Sequence, residues 1–187
     1  MDWHRIRRFI HVLAPLLCIY YIVPDTPLPG APKDQIILLI MLVVLALDTM
    51  RLIARFKVPI LHTYEDERPS APAFFAVSAA IALLYFPVEI TLPVLLGMGL
   101  VDPLVGELRM RKSDLNPILP MAVYFFILLI GLGYFYGLSF LVLLSCVLVA
   151  PIALFLESRR FPYIDDDMIL VLVPLFLLAL MFGQLPF

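Results

Sequence analysis

The sequence predicts an all-α fold: a polytopic membrane bundle of about seven transmembrane helices, with the N-terminus cytoplasmic and the C-terminus outside. Three observations lead there. Of the 187 residues, 63% are hydrophobic and only 15% are charged, against about 25% charged in an ordinary soluble domain. Apolar runs close to the length of a bilayer span recur along the whole chain, and one soluble core of this size could not hide them. Lys and Arg collect on alternate connections between those runs, as they do on cytoplasmic loops. The expected organisation is one integral-membrane domain, 1–187, with mean hydropathy +1.04.

The spans follow from the apolar runs between charged or Pro/Gly-rich breaks: about 9–23, 35–56, 72–87, 88–101, 118–136, 138–156 and 168–185. The first run follows Arg5, Arg7 and Arg8. It reads as a span and not a signal peptide, because no small-residue cleavage site closes it and further apolar runs follow. The third and fourth runs, divided at Pro87, are short for ~30 Å of hydrocarbon at about 1.5 Å per residue. Pro93, Pro120, Pro151 and Pro174 lie within or at the edges of helices, where they free carbonyls and introduce kinks.

With the N-terminus inside, every Lys and Arg except Lys33 falls on the cytoplasmic face. The positive-inside rule is nearly indifferent to acids, yet all of them except Asp25, Asp34 and Glu89 fall there too. The chemistry is therefore expected at the inner face. A net charge of −2 gives no footprint for nucleic acid, and Cys18 and Cys146, each inside an apolar run, read as packing thiols.

Five groups on that face could carry chemistry. Asp165, Asp166 and Asp167 directly precede the last apolar run, with Glu157 upstream. Neighbouring carboxylates repel unless a cation neutralises them, and Mg²⁺ with nucleotide phosphates would do so; the same acids could equally cap the helix. In the second group, Gly97, Gly99 and Asp102 are followed by Gly106, Glu107, Arg109, Arg111, Lys112 and Ser113, a small-residue stretch leading to three phosphate-clamping cations. A basic juxtamembrane loop would look the same. Arg7, Arg8 and His11 open the first run. Asp48 and Arg51, at i, i+3, close the second, as phosphate ligands or as a structural ion pair. Glu65, Asp66, Glu67, Arg68 and Ser70 precede the third, where Ser70 or Glu67 could serve as its cap. Ser139 and Ser145 read as helix-packing hydroxyls.

In this order the groups resemble the CTP-dependent membrane lipid kinases, the family of dolichol kinase, phytol kinase and the CTP-dependent diacylglycerol kinase of yeast. The family's Arg-Lys-x-x-His element is similar to Arg7-Arg8-Phe9-Ile10-His11, and its acid-x-x-Arg to Asp48-Thr49-Met50-Arg51. Its Arg/Glu/Ser element looks like Glu67-Arg68-Pro69-Ser70. Its Gly-Asp followed by Lys-Ser/Thr corresponds to Val101-Asp102, with valine for glycine, and Lys112-Ser113. Its Glu and Asp-Asp-Asn before a Pro-containing helix resemble Glu157, Asp165-Asp166-Asp167 and Pro174.

The resemblance implies transfer of the terminal phosphate of CTP to the hydroxyl of a polyprenol-, dolichol- or geranylgeraniol-type alcohol. It implies Asp102, Lys112 and Asp166 as catalytic, and Arg7, Arg8, His11, Arg51, Arg68, Gly106, Arg109, Arg111 and Ser113 as nucleotide or phosphate contacts. Asp102, Glu157 and Asp165 to Asp167 would hold Mg²⁺, with Asp48, Glu67 and Ser70 in support. The partners implied are the lipid alcohol, the nucleoside triphosphate and the bilayer. A lipid-phosphate cytidylyltransferase is the nearest alternative, but the Lys-Asp and Gly-His-Gly elements of those enzymes are missing. A non-enzymatic membrane protein or anion transporter is a further one; transport calls for ionisable groups at mid-membrane, and the helix middles are almost wholly apolar.

Overall fold

In the computed structural model, which describes residues 9, 11–59, 61, 65–159 and 164–185, the apolar runs become helices and no strand is present among the described residues. A 3₁₀ segment, Ala14–Tyr21, is followed by α1 (Lys33–Ala54), α2 (Ala71–Tyr85), α3 (Val88–Met110), α4 (Ile118–Tyr136), α5 (Phe140–Glu157) and α6 (Asp166–Phe182). Four of these, α1, α3, α4 and α5, are long and apolar enough to cross a membrane. The remaining helices are shorter, 15 residues in α2 and 17 in α6.

Helix α3 is central, packing against α4, α6 and the 3₁₀ segment, while α5 lies between α4 and α6, and α2 contacts α1 and α6. Ile90, Val94, Leu95, Met98, Val101 and Val105 of α3 are all buried. Helix α1 is peripheral and turns an apolar face outward: Leu39 is 61% exposed and Leu47 62%. In water such a face would be a large unfavourable patch; in a bilayer it is the ordinary lipid-facing surface.

Helix approach is set by small residues. A Cβ on Gly131 of α4 would come within 2.6 Å of Pro93 of α3, and one on Gly97 would overlap the Tyr124 ring. Gly99 does the same for the 3₁₀ segment: a Cβ there would lie 2.6 Å from the His11 carbonyl oxygen. Absent side chains let the backbones meet. At the other end of the segment the Tyr21 hydroxyl donates to the Phe86 carbonyl at 2.6 Å, tying it to the α2–α3 turn.

The first run, 9–23, is helical at Phe9, His11 and Val12 among the described residues and continues as the eight-residue 3₁₀ segment with Pro15 near its start. One expected span is revised. The fourth run does not end at 101, because α3 continues to Met110. Val101, Val105 and Leu108 keep one face buried at helical spacing, so Asp102, Gly106, Glu107 and Arg109 stand on a helix and not in a loop. Elsewhere the boundaries agree within two or three residues, and α4 matches 118–136 at both ends.

Candidate functional site

The short connections fold the helices back and forth, so the end of α1, the start of α2, the ends of α3 and α5 and the start of α6 meet at one end of the bundle, together with His11. Two polar networks form there.

The first ties α1 to the start of α2. Arg51 donates from Nε to Asp48 Oδ1 at 2.9 Å, from Nη1 to the Glu65 carbonyl at 2.8 Å and from Nη2 to the Arg68 carbonyl at 2.8 Å. The other Asp48 oxygen accepts from the Ser70 backbone N–H at 3.0 Å, and Glu65 Oε1 accepts from the Ala71 N–H at 2.6 Å. These are the donors that a helix N-terminus leaves without partners. Ser70 stands at the N-cap position but its side chain makes no cap bond, and Glu67 is exposed. Glu65, fully buried, and Asp48 do the capping expected of Ser70 or Glu67. The run of three acids at 65–67 was the signal, but spacing alone does not single out the first of them. Arg51 is thus committed to protein carbonyls and a carboxylate, the structural arrangement that was one of its two sequence readings.

The network continues into the Asp triplet. Arg68 Nη2 reaches Asp165 Oδ2 at 3.0 Å. Asp165 is the N-cap residue of α6 and accepts from the Asp167 N–H at 3.4 Å. Burial, reinforced by the neighbouring Asp166 carboxyl, pushes the Asp165 carboxyl above the ordinary carboxylate range. Asp165 therefore acts as a cap and structural anchor, while Asp166 is half-buried and Asp167 buried.

The second network joins His11, α3, α5 and α6. His11 Nδ1 lies 2.9 Å from Asp102 Oδ2, and His11 Nε2 lies 3.8 Å from Asp167 Oδ2. Arg109 Nη2 donates to Glu157 Oε2 at 3.0 Å, and the charges of Asp102 and Asp166 act on the same Glu157 carboxylate. The triplet Asp165, Asp166 and Asp167, and the group His11, Asp102 and Asp167, each bring three ligand atoms within 4.8 Å of one another. The triplet offers carboxylate oxygens alone, whereas the second group adds an imidazole nitrogen.

A cavity of about 370 Å³ opens between α1 and α2. Its wall is apolar, formed by residues such as Ile40 and Val44 of α1 and Ala76 and Ala79 of α2, and its polar lining is His11 and Asp167. The acidic cluster therefore borders a hydrocarbon-lined space.

The remaining expected residues stand apart from this convergence. Arg111 pairs with Glu107 at 2.6 Å on the exposed side of α3. Lys112 follows in a left-handed conformation, φ +49°, and is exposed. Ser113 Oγ accepts from the Leu115 N–H at 3.3 Å in the turn before α4, and Gly106 faces open space. Arg7 and Arg8 lie outside the described residues. Ser139 and Ser145 behave as packing hydroxyls: the first caps Val142, the second donates to the Leu141 carbonyl. No family model, curated protein or solved structure matches this chain.

Proposed function

We propose that the chain is a membrane lipid kinase that transfers the terminal phosphate of a nucleotide, CTP by its resemblance, to the hydroxyl of a polyprenol-type isoprenoid alcohol. The observation that supports this most directly is the apolar cavity whose polar lining is His11 and Asp167. A hydrocarbon tail suits its walls, and a terminal hydroxyl suits its polar end.

In this reading the lipid enters from the bilayer and its hydroxyl meets the carboxylate cluster. Asp102 orients the hydroxyl and takes its proton. The hydroxyl oxygen bonds to the γ-phosphorus, the bond from that phosphorus to the β–γ bridging oxygen breaks, and the nucleoside diphosphate leaves. Asp166 and Asp167 would hold Mg²⁺, which when bound supplies charge neutralisation at the phosphates. Arg109, whose guanidinium meets the cluster through Glu157, contacts the phosphates, with Arg8 by the resemblance. Arg51 and Arg68 hold the cluster in shape through the bonds described above. Because every described Lys and Arg except Lys33 lies at this end of the bundle, the positive-inside rule would make it cytoplasmic, and seven spans would put the C-terminus outside.

The test is incubation of purified protein in detergent with Mg²⁺, CTP or ATP labelled at the γ-phosphate, and a panel of isoprenoid alcohols and diacylglycerols. Labelled isoprenoid phosphate is expected, with CTP the better donor. No labelled lipid from any pair, with protein that remains folded, overturns the reading. Release of the label as pyrophosphate in the presence of lipid phosphates would instead identify cytidylyl transfer.

A further inference from the structure

We propose that His11, Asp102 and Asp167 form a three-ligand site for a divalent first-row transition ion, of the Mn²⁺ or Zn²⁺ type, at the head of the apolar cavity. The proposal deepens the lipid kinase reading and rests on it only for the use to which the ion is put.

The three residues come from three separate parts of the fold: His11 precedes the 3₁₀ segment, Asp102 lies within α3 and Asp167 in the first turn of α6. Their ligand atoms converge within 4.8 Å, and the carboxylate oxygens lie 2.9 and 3.8 Å from the imidazole nitrogens. A separate observation concerns the imidazole. The His11 side chain is nine-tenths buried, with a relative exposure of 10%. Its Nδ1 makes no hydrogen bond, although it points at Asp102 Oδ2 from 2.9 Å. A buried ring nitrogen ordinarily finds a donor or acceptor. A cation shared between that nitrogen and the facing carboxylate would give the nitrogen a partner through coordination.

The donor set decides the class of ion. Mg²⁺ and Ca²⁺ take oxygen ligands, which the Asp165, Asp166 and Asp167 triplet offers, whereas imidazole favours transition ions and zinc. One nitrogen and two carboxylates leave coordination positions open. His11 and Asp167 both line the cavity, so the site borders the space assigned to the lipid hydroxyl. An ion there would act on the acceptor alcohol, while Mg²⁺ at the triplet would act on the nucleotide; Asp167 belongs to both groups. Gly99 helps to build the site, because any side chain there would push the His11 backbone off α3.

The test uses full-length protein in detergent, stripped with chelator and then titrated with Mn²⁺ while free Mn²⁺ is followed by its EPR signal. Bound Mn²⁺ should show nitrogen modulation in a pulsed EPR experiment, lost in His11→Gln and retained in Asp166→Asn. Mn²⁺ affinity should fall at least about tenfold in His11→Gln and in Asp102→Asn. Failure to bind Mn²⁺, bound Mn²⁺ without nitrogen modulation, or modulation that survives His11→Gln would each overturn the site. Should His11→Gln not fold, the modulation of the unmodified protein and the Asp102→Asn affinity still decide. A protein that binds Mn²⁺ through nitrogen but phosphorylates no lipid keeps this site and loses the kinase reading.

Discussion

Arg51 shows how one side chain can organise a junction. Its guanidinium reaches Asp48 on its own helix and the carbonyls of Glu65 and Arg68 in the following connection, and a planar fork satisfies three directions that a lysine could not. Arg51→Ala would leave Asp48 buried without its cation, a type of loss worth about 3–5 kcal/mol. The expected result is a markedly lower thermal midpoint in detergent, with Arg51→Lys recovering only part of it. A midpoint unchanged in Arg51→Ala would show that the network contributes nothing to stability. The Asp48 and Arg51 pair was visible in the sequence from its i, i+3 spacing, because helical neighbours can be read locally. Their carbonyl and N–H partners were not, since Ser70 lies 22 residues from Asp48 and no local pattern records where a connection returns.

At the scale of elements, contact between the 3₁₀ segment and α3 holds His11 beside Asp102. Gly99→Val should force the segment away from α3 and weaken Mn²⁺ binding, because its Cβ meets the His11 carbonyl oxygen and not a flexible side chain. Gly97→Ala, facing the Tyr124 ring, should cost about 1–3 kcal/mol by overpacking and leave metal binding intact, which thermal melting and Mn²⁺ titration would separate. Helix α2 supplies the small-residue wall of the cavity. In Ala79→Phe the ring would occupy that space, so lipid phosphorylation should fall at least about tenfold while Mn²⁺ affinity stays the same; an unaffected rate would exclude the cavity as the lipid site. Helix positions were legible because apolar runs and charged breaks are local properties. The extension of α3 to Met110 was not, because the charges after Asp102 conceal a face kept apolar by Val105 and Leu108.

The whole molecule has chemically different ends. One holds the carboxylate and arginine networks; the other holds isolated contacts such as Lys33 with Asp25 at 2.9 Å and Tyr136 with Gln184 at 2.8 Å. A cysteine at Ser113 should react with a membrane-impermeant thiol reagent only from the cytoplasmic side, and one at Leu138, 82% exposed, only from the opposite side. Both reacting from the same side would overturn the orientation. The native thiols, Cys18 and Cys146, are buried and should add little background. Composition and periodicity by themselves determined that the chain folds into apolar helices and that its charges gather at alternate connections, because hydrophobic burial and helix geometry act on neighbouring residues. Only the tertiary structure decided which charges meet. His11 reaches Asp102 and Asp167 because three distant segments converge on α3 and α6, while Arg111 and Lys112, no less charged, are left at the surface. That selection depends on how closely helices approach, which is set by glycines and ring positions across the bundle.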